Sequence, residues 1–173
     1  ILTEAFKKND IAFTAKHLPS LRALQISNSG ELDGELHRVS NFHEITNNQY
    51  SNLLRIDCKL LSVHLTIFAK DKFLINNNED IQNYDLAYYR GRNNVANHLS
   101  KLTNPPDIYQ VKTDLQAFTM LAFDRVDFVI SEDKVGNRII SSDNIFTEIE
   151  MVGRLEKSHI YAYIHKKHQS LLP

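Results

Sequence analysis

The chain of 173 residues has no tryptophan and one cysteine, Cys58. A lone thiol cannot close an internal disulfide, and it has no partner cysteine for a zinc site. Because Cys58 sits in an apolar stretch, it reads as a buried, inert thiol rather than a nucleophile. There is no surplus of either charge: 20 Lys and Arg stand against 21 Asp and Glu, a formal net charge of −1. A nucleic-acid footprint needs a clustered basic excess. Lys7-Lys8 and His165-Lys166-Lys167-His168 are short and read as solvated helix faces. No run approaches the roughly 20 apolar residues of a membrane helix, so no direct membrane insertion is expected. No signal peptide is visible. Ile1-Leu2-Thr3-Glu4-Ala5-Phe6 already carries a mid-helix pattern, so the chain reads as truncated at its start. No Ser-His-Asp, GxSxG, Walker or GxGxxG pattern is present, and no catalytic residue is assigned.

What the chain does have is a pattern that occurs twice, 94 residues apart, without a gap. Leu21-x-Ala23-Leu24-x-Ile26 is followed by Leu32-Asp33-x-x-Leu36; Leu115-x-Ala117-Phe118-x-Met120 is followed by Val126-Asp127-x-x-Ile130. The first part of each copy fits a helix face and the last part a short strand. Each copy therefore predicts strand, helix, turn and strand, a right-handed βαβ crossover. Two such units imply two similar α/β lobes and a cleft between them, where ligands bind. Asp33 and Asp127 read as structural turn residues.

Around the repeat, residues 1–8 suit a helix and Ile11–Leu18 alternate as a strand would. Ser20 starts the next helix, and Gly30 stops it. Arg38–Asn52 is a long polar connection. Leu53–Cys58 and Leu60–Ala69 read as extended, and Lys70–Asn78 as a polar connector. Asp85–Tyr89 is a strand, Arg90–Asn94 a turn into a helix through Leu102, and Ile108–Val111 a strand. Thr113 or Asp114 caps the second repeat helix. Val126–Ile130 is the strand after it, and Asp133–Ile140 a helix. Ile145–Ile149 and Ile160–Ile164 read as extended, and a helix begins at Lys166. Strands alternating with helices argue for α/β architecture with largely parallel sheets.

The stretches ILTEAFKK, LRALQISNSGELDGELHR, YSNLLRI, DLAYYRGRNN, YQVKTDLQAFTMLAFDRVDFVIS and AYIHKKHQSLLP, in that order, resemble the bacterial extracellular solute-binding proteins of family 3. These are the amino-acid-binding-like group of type 2 periplasmic binding proteins. The resemblance implies a two-lobed fold, each lobe a mostly parallel sheet flanked by helices. Lobe 1 would hold residues 1–66 plus 160–173, and lobe 2 residues 67–159. Hinge strands near Leu65–Lys70 and Leu155–Ala162 would join them. It also implies that a first strand and the end of the last helix lie outside this chain, so that it is truncated at both ends.

The same resemblance places the ligand at strand ends and helix starts that face the cleft, where unpaired N–H groups attract carboxylates. In lobe 2 this is the turn with Arg90, Gly91, Asn93 and Asn94. The asparagines have two readings, ligand contact or a plain helix cap. In lobe 1, His37, Arg38 and Ser40 follow the matching strand. Arg38 either grips a carboxylate through paired hydrogen bonds or pairs with Glu44 or Asp57 on the surface. Glu132 stands where amino-acid-binding members place an Asp for the ligand ammonium, and Asp133 reads as a helix cap. Two departures, Glu for Asp and Arg38 moved up within His37–His43, leave the ligand class open. His165 and His168 are flanked by lysines and read as surface residues, so no metal is assigned, and no cofactor is expected.

The expected function is therefore that of a non-enzymatic, periplasmic, monomeric binding protein. It would close on a small polar solute, an amino acid or similar zwitterion, and present itself to an ABC permease. A ligand-sensing module on the same fold, partnered by a sensor kinase, is the alternative. An enzyme on this fold is the third reading and has no nucleophile–base pair to support it.

Overall fold

The computed structural model describes residues 2–70 and 78–172. The helices are α1 (Leu2–Lys7), α2 (Ser20–Ser29), α3 (Phe42–Ile45), α4 (Asn93–Leu99), α5 (Asp114–Ala122) and α6 (Asp133–Ile140). The strands are β1 (Gly34–Val39), β2 (Leu53–Ala69), β3 (Leu86–Tyr89), β4 (Ile108–Val111), β5 (Phe128–Glu132) and β6 (Glu150–His165). They form one sheet in the order β1-β6-β2-β5-β3-β4.

Two long strands make the frame. β2 and β6 run antiparallel from Leu53 opposite His165 to Ala69 opposite Glu150, with register shifts along the way. One end of this ribbon carries β1, antiparallel to β6. The other end carries β5, antiparallel to β2, with β3 and β4 beyond it. Parallel pairing is confined to β3 with β4 and β3 with β5. Those strands are joined through α4 and α5, and a parallel join needs such a crossover.

The core follows the same division. Around β1, a cluster of Leu24, Phe42, Tyr50, Leu53 and Tyr163 is buried between α2, α3 and the ribbon. At the other end the sheet is covered on both faces. Leu65, Ile67, Leu86, Val95, Phe128 and Ile130 pack on one side. Phe68, Ala117, Phe118, Leu121, Val129 and Phe146 pack on the other. All five residues of β5 are buried, as expected of a central strand with helices on both faces. The two clusters of lobe 2 and the single cluster of lobe 1 make the two lobes.

Several local expectations are corrected. Ile11–Leu18 carries the alternation of a strand but pairs with no strand among the described residues, and stacking of Phe13 on Phe6, with ring centroids 5.0 Å apart, fixes it to α1 instead. The first repeat copy therefore has a helix and a strand but no opening strand among the described residues. Leu53–Ala69 is one strand rather than two, and Ile145 lies in a 3-10 turn. The segment from Lys166 is also 3-10 rather than α-helical. Cys58 is exposed, not buried. It lies in the irregular stretch of β2 between Arg55 and Lys59, where pairing with β6 lapses and the side chains no longer alternate inward. The connector expected over Lys70–Asn78 falls mostly outside the described residues.

Candidate functional site

An open cleft of about 890 Å³ lies between β1 and α2 on one lobe and the β3–α4 turn and β5–α6 junction on the other. Its size suits a small molecule, since ligand sites run roughly 300–1,000 Å³. Its polar lining includes Ser20, Glu35, His37 and Arg38 from lobe 1, and Arg92, Asn93, Asn94 and Glu132 from lobe 2.

On lobe 1, Ser27 and Glu35 are buried beneath the cleft. A β-bulge between Glu35 and Arg38 shifts the register of β1 against β6. In a regular strand, side chains three apart point to opposite faces; the bulge brings Arg38 back onto Glu35. Arg38 donates from Nη2 to Glu35 Oε2 at 3.0 Å and from Nη1 to Ser20 Oγ at 3.0 Å. Its guanidinium also lies 5.9 Å from the Phe42 ring centroid. The Arg38 Nε is buried without a partner among the described residues. Burial pushes the Glu35 carboxyl above its ordinary value, and the Arg38 charge only partly offsets this.

On lobe 2, Arg92 precedes α4 and reaches Asp114 at the start of α5 with two hydrogen bonds, 2.6 and 3.1 Å long. Ser131 Oγ donates to the same carboxylate at 2.7 Å. This buried pair fixes the floor of the lobe-2 site. Beside it, Glu132 is buried at the end of β5. Burial pushes its carboxyl up, but the hydrogen bond from His37 and the Arg92 charge outweigh burial, so the net shift is downward.

Hydrogen bonds also span the cleft itself. The Ser20 N–H donates to Tyr89 Oη at 2.8 Å, and Ser20 Oγ donates to the Gly91 carbonyl at 3.3 Å. His37 Nε2 meets Glu132 Oε1 at 3.2 Å. Gly91 has φ +91°, a conformation that favours glycine, and any Cβ there would lie 3.0 Å from Ser20.

Of the residues picked from sequence, His37, Arg38, Gly91, Asn93, Asn94 and Glu132 line the cleft. Asn94 is buried, and its Oδ1 accepts from the Val95 N–H at 3.0 Å. Ser40 and Arg90 are not among the lining residues. The Ser40 backbone is tied to β6 through the His159 carbonyl, and Arg90 reaches the Gln110 carbonyl on β4. Arg38 pairs with Glu35, not with Glu44 or Asp57. Asp133 opens α6 and accepts from the N–H groups of His64 and Lys134. Asp127 accepts from the Asp85 N–H at 2.8 Å, and Asp33 holds His168 and Lys167, as turn residues do. Sequence reasoning missed Glu35 and Arg92, and gave Ser20 and Asp114 only capping roles. The repeat contained a signal for two of them, because Ser20 and Asp114 occupy equivalent positions 94 residues apart.

The overall architecture is shared with solved proteins. A histidine kinase sensor domain with similarity to periplasmic binding proteins aligns at TM-score 0.79 and 18% identity, over 98% of this chain and 72% of that one. An ancestral arginine-binding protein bound to arginine aligns at TM-score 0.80 and 16% identity, over 99% of this chain and 74% of that one. The substrate-binding protein of an amino acid ABC transporter aligns at TM-score 0.76 and 13% identity, over 98% of this chain and 73% of that one. The chain has the type 2 periplasmic-binding-protein fold. No family model matches it. An uncharacterized protein of Shewanella oneidensis is 25% identical over 176 residues, covering 99% of this chain. The chain spans 65% of that relative's length. These structural neighbours are binding proteins and a sensor domain rather than enzymes. Among the described residues no helix is long and apolar enough to cross a membrane.

Proposed function

We propose that this chain is the solute-binding module of an extracytoplasmic, periplasmic protein, and that its two lobes close on a small polar solute, an amino acid or similar zwitterion. The observation that carries this reading is the placement of Arg38 and Glu132. They stand at equivalent positions of the two repeat copies, one cationic and one anionic, on opposite walls of one cleft. Arg38 would hold the carboxylate, with the Asn93–Asn94 segment beside it, and Glu132 would hold the cationic group. Lobe 1 would comprise residues 1–66 and 160–173, lobe 2 residues 67–159, and bending would occur where β2 and β6 pass between them. The module acts as a monomer, and closure delivers the solute to an ABC permease. The neighbouring histidine kinase sensor domain supports a second reading, in which closure signals to a kinase instead.

A thermal-shift screen against amino acids, polyamines and small organic acids tests the proposal. A solute at a hundred times its dissociation constant adds about 2.7 kcal/mol. The expected result is a shift with a zwitterion that disappears in both Arg38→Ala and Glu132→Ala. A screen in which organic acids or polyamines, but no amino acid, shift the melt would overturn the amino-acid assignment.

A further inference from the structure

The charged groups on the two walls already have partners from the protein itself. Arg38 holds the Glu35 carboxylate, and Glu132 holds the His37 imidazole. Both partners come from β1, two residues apart, so one strand offers a carboxylate to the Arg anchor and an imidazole to the Glu anchor. The two differ in how they can leave. Glu35 is buried at the cleft wall beside Ser27 Oγ at 3.5 Å, with both of its carboxylate oxygens taken up, one by Ser27 and one by Arg38. The His37 side chain keeps 51% of its surface exposed, whereas the Glu132 side chain keeps 12%. The imidazole is therefore the removable cover on a buried anion.

We propose that His37 is a built-in occupant of the Glu132 subsite: it clasps the lobes together when the cleft is empty, and a solute's cationic group must displace it to bind. This rests on the cleft being the solute site proposed above. Charged groups surround the pair. On β1, Glu35 and Arg38 flank His37. From lobe 2, Arg92 and Asp133 act on Glu132, and His64 on β2 is paired with Asp133. The hydrogen bond from His37 and the Arg92 charge hold the Glu132 carboxyl below its ordinary value, so it meets the imidazole as a carboxylate. The imidazole therefore faces a charged acceptor, and their charge-assisted bond is what a solute's cationic group must replace.

The clasp can be measured without any solute. Spin labels at Arg22→Cys and Ala96→Cys, both exposed and on opposite lobes, in a Cys58→Ser background report the distance across the cleft. The wild-type pair should show mainly short distances. His37→Ala and Glu132→Gln should each lengthen the distances and add nothing when combined. An unchanged distribution in His37→Ala overturns the proposal. The half-exposed position of His37 makes its loss compatible with folding, which a matching melt confirms. L-arginine then serves as the probe of competition by calorimetry. Several-fold tighter binding to His37→Ala than to wild type supports displacement, and equal or weaker binding overturns it. A clasp that is present while L-arginine binds neither protein overturns displacement by this cation and leaves His37–Glu132 as an interlobe latch.

Discussion

The two repeat copies have the same frame and opposite chemistry. α2 starts at Ser20 and α5 at Asp114, β1 at Gly34 and β5 at Phe128, each pair 94 residues apart. The residues with left-handed backbone that follow the helices, Gly30 at φ 87° and Asp124 at φ 54°, keep the same spacing. So do the helix residues at the centre of each core, Leu24 and Phe118, both fully buried. The frame then receives different contents. Buried Glu35 stands where the second copy has Val129, Ser27 where it has Leu121, and Arg38 where it has Glu132. The second copy lies mid-sheet and is apolar on both faces. The first lies at the sheet edge, against the cleft, and places polar groups where its twin places core. The comparison teaches that the repeat determines where the two anchors stand, and single replacements within it determine what they hold.

The largest break in this symmetry is at the helix starts. Ser20 gives one hydroxyl to Arg38, while Asp114 neutralises Arg92 and takes a third bond from Ser131. Both members of the Arg92–Asp114 pair are largely buried, with side-chain exposures of 10% and 15%. Replacing Asp114 by Ala leaves a largely buried guanidinium with no anion, only Ser131 Oγ at 3.2 Å and the Tyr89 ring, which costs about 3–5 kcal/mol. Ser20→Ala removes a neutral partner from an Arg that keeps Glu35, and should cost about 1 kcal/mol. Urea denaturation of the two variants measures the difference. Equal losses would mean that Arg92 has another partner in solution.

A second break is at the strand starts. A Cβ on Gly34 would collide with the Tyr163 carbonyl across the β1–β6 pairing, and that backbone atom cannot move aside as a side chain could. Its counterpart is the buried Phe128. Gly34→Ala should therefore destabilise by about 1–3 kcal/mol, the range for overpacking, and reduce hydrogen-exchange protection of β1 before that of β5. Protection lost evenly across both strands would show that the lobes do not unfold separately.

The frame was legible in the sequence because helix and strand periodicities repeat there in register. Apolar spacing at Leu21, Leu24 and Leu115, Phe118 needs only local geometry to be read. Arg38 and Glu132 were placed at the cleft by the resemblance to family 3 solute-binding proteins rather than by periodicity. What was hidden depends on partners distant in sequence. Ile11–Leu18 has the alternation of a strand, but a strand exists only where another chain segment pairs with it. Cys58 looks apolar in context, but a lapse in β2–β6 register turns it outward. The Arg92–Asp114 bond joins residues 22 apart, and His37–Glu132 joins residues 95 apart. Glu35 reaches Arg38 because of a bulge that no alternation pattern marks.

The two buried glutamates sharpen the comparison through pH. Glu35 titrates above its unfolded value, so in the folded state it holds its proton longer. Its contribution is lost as the pH rises from the ordinary glutamate range through the raised folded value. Glu132 titrates below its unfolded value, so its contribution is present above the ordinary range and lost as the pH falls through the lowered value. In urea midpoints measured across acid pH, Glu132→Gln should remove part of the acid-side loss. Glu35→Gln should remove part of the decline as pH rises out of the acid range. Slopes that change in the same direction in both variants would contradict the opposite environments of the two groups.

The smallest expected effect concerns the helix caps. Thr113 accepts from the Gln116 N–H at 3.0 Å, while Gln116 Oε1 accepts from the Lys112 N–H at 3.1 Å, so α5 begins with two of its exposed donors satisfied or braced. The equivalent residue before α2 is Pro19, which has no side-chain acceptor and makes no cap bond. Thr113→Ala should cost about 1 kcal/mol. The reciprocal change, Pro19→Thr, offers α2 the missing cap of similar worth, but it also frees the unfolded chain, at a cost of about 0.4–1 kcal/mol. The two terms nearly cancel, so Pro19→Thr should shift the urea midpoint by much less than Thr113→Ala does. A clear gain from Pro19→Thr would show that α2 lacks a cap because selection kept its N-terminal turn free, beside Ser20 and its bonds to Tyr89, Gly91 and Arg38. A clear loss would show that the proline's fixed backbone, rather than a hydrogen bond, sets the angle at which α2 enters the cleft wall.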